Sequence, residues 1–96
     1  MKPYFSIIIP TLNEEIHLPV LLESLSAQTF RGFEVIVSDS NSEDATRENA
    51  LSFSNKVPKL LVITKSERNV GVARNNGAKI AAGDYLIFLD ADVKFE

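Results

Sequence analysis

The chain contains no cysteine, no tryptophan and a single histidine. Without thiols it can form no disulfide framework, no thiolate zinc site and no cysteine nucleophile. His17 has no second metal-type ligand at helical spacing, so it reads as a surface residue beside the first helix. Glycine and proline are scarce, four of each, which excludes collagen-like and low-complexity chains. The N-terminal apolar run Ile7-Ile8-Ile9 is too short for a signal-peptide core or a membrane span, so the expected compartment is the cytoplasm. No stretch gathers charge of one sign. Ten basic and thirteen acidic residues are scattered, with a net charge of -3, and this argues against nucleic acid as a partner.

What is present is the composition of one ordinary domain, 45% hydrophobic and 24% charged over 96 residues. A chain of this length buries roughly 60–70% of its unfolded surface, enough for one core, so residues 1–96 are expected to form a single domain. Apolar runs rich in β-branched residues alternate with segments of helical period. Phe5-Ser6-Ile7-Ile8-Ile9 reads as a first strand stopped by Pro10, apolar on consecutive positions as in a strand covered on both faces. Leu18, Leu21, Leu22 and Leu25 form one face of a helix that tolerates Pro19 in its first turn and ends near Gln28. Residues 33–38 predict a second strand. The turn-forming cluster Asp39-Ser40-Asn41-Ser42-Glu43-Asp44 then precedes a helix with Thr46, Ala50 and Phe53 inward.

Leu60-Leu61-Val62-Ile63-Thr64 predicts the third strand, and Asn69 caps a third helix carrying Ala73, Gly77, Ile80 and Ala81 inward. Gly77 lets that helix approach the sheet, and Gly83 is expected as its left-handed C-terminal cap. Residues 85–89 form the fourth strand. The expected architecture is therefore α/β: half of a doubly wound, Rossmann-like parallel sheet, with four strands in order 3-2-1-4 and three helices. In that order the chain reverses between strands 1 and 4, and ligands bind at the carboxyl ends of strands flanking such a switch point.

Three strand ends there carry polar residues: Pro10-Thr11-Leu12-Asn13-Glu14-Glu15, Asp39-Ser40-Asn41 and Asp90-Ala91-Asp92. Taken singly, such residues cap helices and form turns, as Ser42 and Asn69 do on the plainest reading. Asp90 and Asp92 carry more information. Two carboxylates one residue apart at a strand end repel each other unless a cation sits beside them. Oxygen-only ligands suit Mg2+ or Mn2+, which take one or two carboxylates and complete their shells with water and phosphate oxygens. The substrate so implied is a phosphate ester or diphosphate. Asp39, beside strand 1, is placed either to accept from a ribose hydroxyl or base N–H, or to make a local turn. Arg74, one turn into the third helix, is placed either to approach a phosphate or the base, or to face solvent.

The segments Ile7–Glu15, Val35–Ser42, Asn69–Ala78 and Gly83–Asp92 together resemble the inverting glycosyltransferases of the family-2 type, with the GT-A fold, over essentially the whole chain. The resemblance implies that Pro10, Thr11, Asn13 and Glu14 lie around the nucleotide and that Asp39 accepts from the base. It implies further that Asn69, Gly71 and Arg74 line the pocket, with Asp90 facing the ribose and Asp92 the divalent metal, Mn2+ or Mg2+. The implied activity is transfer of a sugar, with inversion, from a nucleotide-diphosphate sugar to an acceptor such as a glycan, lipid or polyprenyl phosphate. An inverting displacement needs a carboxylate base, and none is identified in these residues. The family's acceptor-binding half follows its D-x-D motif, whereas this sequence ends at Glu96, so what is expected here is the donor half.

Strand 4 would then present an unpaired apolar edge, which predicts a homo-oligomer. The alternative function is a nucleotide-sugar-binding module that transfers nothing. A dinucleotide-dependent oxidoreductase would need G-x-G-x-x-G after strand 1, where Pro10-Thr11-Leu12-Asn13-Glu14-Glu15 has no glycine. Response-regulator and phosphatase-type folds place essential acids where Pro10-Thr11 stands.

Overall fold

A computed structural model describes residues 2–92. Its elements alternate strictly: β1 (Phe5–Thr11), α1 (Leu18–Ser26), β2 (Phe33–Asp39), α2 (Thr46–Leu51), β3 (Leu60–Thr64), α3 (Val70–Ile80) and β4 (Tyr85–Phe88). The four strands are all parallel in the order β3-β2-β1-β4. α3 packs on β1 and β2 from one face, and α1 and α2 cover the other. Leu18, Leu21, Leu22 and Leu25 are buried against Ile7, Ile9, Val35 and Val37. Burying each such side chain contributes about 1.5–3 kcal/mol, and this stripe holds α1 to the sheet where no side chain caps its start.

Pro10 does not stop the first strand. β1 continues through Thr11, with Pro10 opposite Ser38. The carbonyl of Ile8 points toward β4, where it accepts from the Leu89 N–H, and Pro10 shares that orientation two residues on. The β4 ladder has already ended at the Ile8–Phe88 pair, so no hydrogen bond is lost where the proline lacks its N–H.

Two further expectations are corrected at α3. Ala73 and Gly77 are buried as read, but Ile80 is 42% exposed and Ala81 leaves the helix in an extended conformation. Gly83 is not a left-handed cap, since no glycine among the described residues has positive φ. Its requirement is space. A Cβ on Gly83 would lie 2.7 Å from the main-chain carbon of Phe5 and the nitrogen of Ser6, backbone atoms that cannot swing aside. Gly83→Ala is therefore expected to destabilise the fold by about 1–3 kcal/mol through overpacking, read as a lowered midpoint in urea. An unchanged midpoint would exclude the close approach. At Gly77 a Cβ would lie 2.6 Å from the Ile8 side chain, the close helix–sheet approach anticipated there.

The same corner is pinned by a buried glutamate that the sequence does not announce. Glu34 of β2 is fully buried, and its Oε2 accepts from Ser6 Oγ at 2.6 Å and from the Ala82 N–H at 2.7 Å. Lys59 Nζ stands 3.7 Å from Oε1. These contacts tie the α3–β4 turn to the amino end of the sheet, leaving the opposite end free to carry loops.

Candidate functional site

The carboxyl ends of β1, β2 and β4 meet at one cleft of about 360 Å3. Pro10, Thr11, Leu12 and Glu14 line it from β1, Ser40 from β2, Arg68, Asn69, Val70 and Ala73 from the start of α3, and Asp90 and Asp92 from β4. The switch point between β1 and β4 thus gathers the three polar strand ends, as the strand order requires.

Asp39 lies just beneath, 1% exposed. Its Oδ1 accepts from Thr11 Oγ1 at 2.7 Å and from Ser42 Oγ at 2.6 Å, and its Oδ2 from the Ser42 N–H at 2.8 Å. Arg47 Nε stands 3.9 Å from Oδ2. One carboxylate therefore sets the rotamer of Thr11 and closes the turn after β2. Ser42 does not cap α2; it links Asp39 to the first loop by accepting the Asn13 N–H at 2.8 Å. Asn13 in turn adopts the left-handed region at φ 56° and accepts the Glu43 N–H at 2.8 Å through Oδ1. The two loops are laced together side chain to main chain, with Asn13 outside the cleft lining.

A second lacing runs through Thr46. Its hydroxyl accepts the Glu14 N–H at 2.8 Å and donates to Asp44 Oδ1, while Asp44 Oδ2 accepts the Glu15 N–H at 3.2 Å. Burial works to raise the Asp44 pKa, but the hydrogen bonds from Thr46 and Glu15 outweigh it and hold the carboxyl below its ordinary 3.8. A carboxyl with a folded pKa below its unfolded value stabilises the fold above the unfolded value, and that contribution is lost as pH falls through the folded one. Asp44→Asn is thus expected to melt below the parent at pH 7 and to converge with it at acid pH. A gap of constant size across that range would remove Asp44 from the acid response.

At the other side of the cleft, Arg74 Nη2 donates to Asp90 Oδ1 at 3.3 Å, and the buried Arg74 Nε has no partner among the described residues. Asn69 is the N-cap of α3, its Oδ1 accepting the Val72 N–H at 3.1 Å, and it also borders the cleft. Gly71 is exposed in the first turn, outside the lining. Glu14 Oε1 lies 3.3 Å from Nδ1 of the exposed His17. Sequence alone singles out neither Ser40 nor Arg68. Ser40 stood in the polar cluster after strand 2, and Arg68 carried no signal beyond adjacency to Asn69.

The similarity to known proteins is decisive for the family. Residues 6–96 match the family profile described as glycosyl transferase family 2. The chain belongs to that family. It is 41% identical over 91 residues, 94% of its length, to a PGL/p-HBAD biosynthesis glycosyltransferase of Mycobacterium bovis, of which it spans 36%. It is 36% identical over 92% of its length to the amylovoran biosynthesis glycosyltransferase AmsB of Erwinia amylovora, of which it spans 30%. Among solved structures, S. aureus TarS 1–349 in complex with UDP-GlcNAc superposes with a TM-score of 0.88 at 36% identity, covering 93% of this chain and 26% of that one. The mannosyltransferase PcManGT from Pyrobaculum calidifontis, in complex with GDP-Man and Mn2+, gives a TM-score of 0.79 at 27% identity over 99% of this chain and 29% of that one. The chain spans between about a quarter and just over a third of the length of these glycosyltransferases. Among its described residues no helix is long and apolar enough to cross a membrane.

Proposed function

We propose that residues 1–96 form a nucleotide-sugar-binding domain that serves as the donor-binding unit of an inverting glycosyltransferase. The observation that carries this reading is the entry of Asp90 and Asp92 into the same cleft as Pro10, Thr11 and Ser40. Pro10, Thr11, Glu14 and Asn69, which line the cleft, are proposed to surround the nucleotide, with Asn13, Gly71 and Arg74 supporting that lining from behind. Asp39 is proposed to accept a base N–H through Oδ2, which has one close donor; because that carboxylate is fully buried, the contact needs the turn after β2 to shift. Asp90 is assigned to the ribose and Asp92 to the cation.

The residues fit a metal of the Mg2+ or Mn2+ class. Both aspartates are exposed, offer oxygen donors only, and are joined by no third His, Cys, Asp or Glu in a ligand cluster among the described residues. That donor set suits a cation that keeps water and phosphate oxygens in its shell. Such a cation supplies charge neutralisation as the nucleoside diphosphate leaves. The chain's own residues bind the base, align the diphosphate and hold the anomeric carbon toward the acceptor, a hydroxyl of a glycan or lipid or a phosphate oxygen of a polyprenyl phosphate.

A second reading, binding without transfer, is favoured by the roles of the acidic cleft residues. Asp90 and Asp92 are assigned to donor and metal, and Glu14, the remaining lining carboxylate among the described residues, is paired with His17. Incubation with radiolabelled UDP-GlcNAc and GDP-Man in the presence of Mn2+ separates the two: release of the nucleoside diphosphate supports transferase chemistry, retention of intact donor supports the module, and binding of neither donor counts against both.

A homo-oligomer completes the proposal. Tyr85, Leu86 and Phe88 of the edge strand β4 are 55%, 42% and 45% exposed, and such an edge templates pairing with a second copy. Sedimentation velocity over a concentration series is expected to show a dimer or larger species, and a monomer throughout would count against it.

A further inference from the structure

Arg68 borders the cleft but has no part in the reading above. It immediately precedes the Asn69 cap, and its Nη2 donates both to the main-chain oxygen of Asn41 and to Glu43 Oε1, each at 3.0 Å. Both anchors are themselves braced. Asn41 is held in the left-handed region at φ 60°, and the Glu43 N–H donates to Asn13 Oδ1. The guanidinium is therefore strung between the approach to α3 and the loop after β2, while its Nε and Nη1 donate to nothing among the described residues. A planar fork fixed at one end, with donors left over at a cleft wall, loses little freedom on meeting an acceptor.

Charge divides the cleft by position. The other charged side chains lining it are Glu14, Asp90 and Asp92, so Arg68 is the one cationic lining residue among those described. Asp90 and Asp92 follow β4, on the far side of β1 from β2. A diphosphate placed with its cation at those aspartates puts the nucleobase at the β2 end, where Asp39, Ser40 and Arg68 lie. This inference rests on the nucleotide-sugar reading.

We infer that Arg68 determines nucleobase specificity, donating through its unused N–H groups to the carbonyl oxygen of a keto base, uracil or guanine. A carboxylate only accepts and a guanidinium only donates. Together, Asp39 and Arg68 complement an edge on which a ring N–H adjoins a carbonyl, as in uracil and guanine. Cytosine and adenine present an amino group beside an unprotonated ring nitrogen. Their amino hydrogens would oppose the guanidinium, and their unprotonated ring nitrogen would face the carboxylate oxygen, so both contacts are lost with the wrong base. Glu43 is a positioning residue for this contact and touches no nucleotide.

Calorimetric titration of UDP, GDP, CDP and ADP with Mn2+ tests the assignment in the parent, Arg68→Gln, Arg68→Lys and Glu43→Gln chains. The parent is expected to bind UDP or GDP at least about tenfold more tightly than CDP and ADP, the scale of one hydrogen bond to a charged group. Arg68→Gln is expected to lose that preference while CDP and ADP affinities stay near the parent's. Arg68→Lys keeps the charge without the fork and is expected to lose most of the preference; Glu43→Gln is expected to lose part of it. Should Arg68→Gln fail to fold by circular dichroism, the lysine variant carries the measurement. A parent with no base preference, or a uniform loss across all four nucleotides in either Arg68 variant, overturns the inference and leaves the nucleotide reading intact. A parent that binds none of the four overturns both.

Discussion

Replacing Asp92 by alanine is expected to abolish the Mn2+-dependent part of nucleoside diphosphate affinity while leaving the melting curve unchanged. Asp92 is exposed, makes no hydrogen bond or ion pair to other described residues, and lies after the last strand, so the core does not depend on it. Its loss removes a carboxylate that the proposal places directly on the cation. Substitution of residues that merely orient metal ligands lowers metal affinity or activity by about 10–100-fold, and removal of a ligand itself should reach at least the upper end of that range. Titration of UDP with and without Mn2+ reads the effect as a ratio. The parent ratio should be large, and the Asp92→Ala ratio should approach one. A variant that keeps the parent ratio would place the cation elsewhere. Asp90→Ala provides the contrast, because Asp90 also receives Arg74 at 3.3 Å, and its loss should weaken nucleotide binding in metal-free solution as well.

The elements legible in the sequence were those whose burial follows a period. Leu18, Leu21, Leu22 and Leu25 recur at helical spacing and are all buried, and the β-branched cores of β1 and β2 are covered on both faces as consecutive apolar positions require. The strand order followed from alternation and crossover handedness, and with it the meeting of three strand ends at one cleft. What escaped the sequence depends on neighbours distant along the chain. Pro10 looks like a terminator until the ladder on its N–H side is known to have ended. Gly83 looks like a helix cap until the backbone of Phe5 and Ser6 is found against it. Glu34, inside an apolar strand, carries no sequence signal of its burial. Its partners Ser6 and Ala82 lie 28 and 48 residues away. Arg68 is of the same kind: one charge among Lys65, Glu67 and Arg68 in sequence, it becomes a held donor only when Asn41 and Glu43 are folded beside it.

Asp39 is where the site and the fold depend on the same atoms, and its substitution should have the largest effect on stability. Asp39→Ala leaves the Thr11 hydroxyl and both the hydroxyl and N–H of Ser42 without their acceptor in a buried setting. The disturbance passes outward, because Ser42 Oγ also accepts from Asn13. Hydrogen bonds to a charged group are worth about 1.5–3 kcal/mol each and do not add fully within one network, so a loss of about 3–5 kcal/mol is expected. In a domain of this size that lowers Tm by about 15–30 °C, measurable by circular dichroism. Asp39→Asn separates structure from recognition. One amide oxygen can still accept the Ser42 N–H, and the Thr11 and Ser42 hydroxyls can turn to accept from the amide nitrogen, so most of the fold's stability should survive. The amide oxygen at the Oδ2 position can still accept a base N–H, but without the carboxylate's charge that hydrogen bond is weaker. The asparagine variant is therefore expected to remain folded at 25 °C yet to bind UDP about tenfold more weakly, whereas parent affinity in a folded Asp39→Asn chain would confine Asp39 to the architecture of the loop.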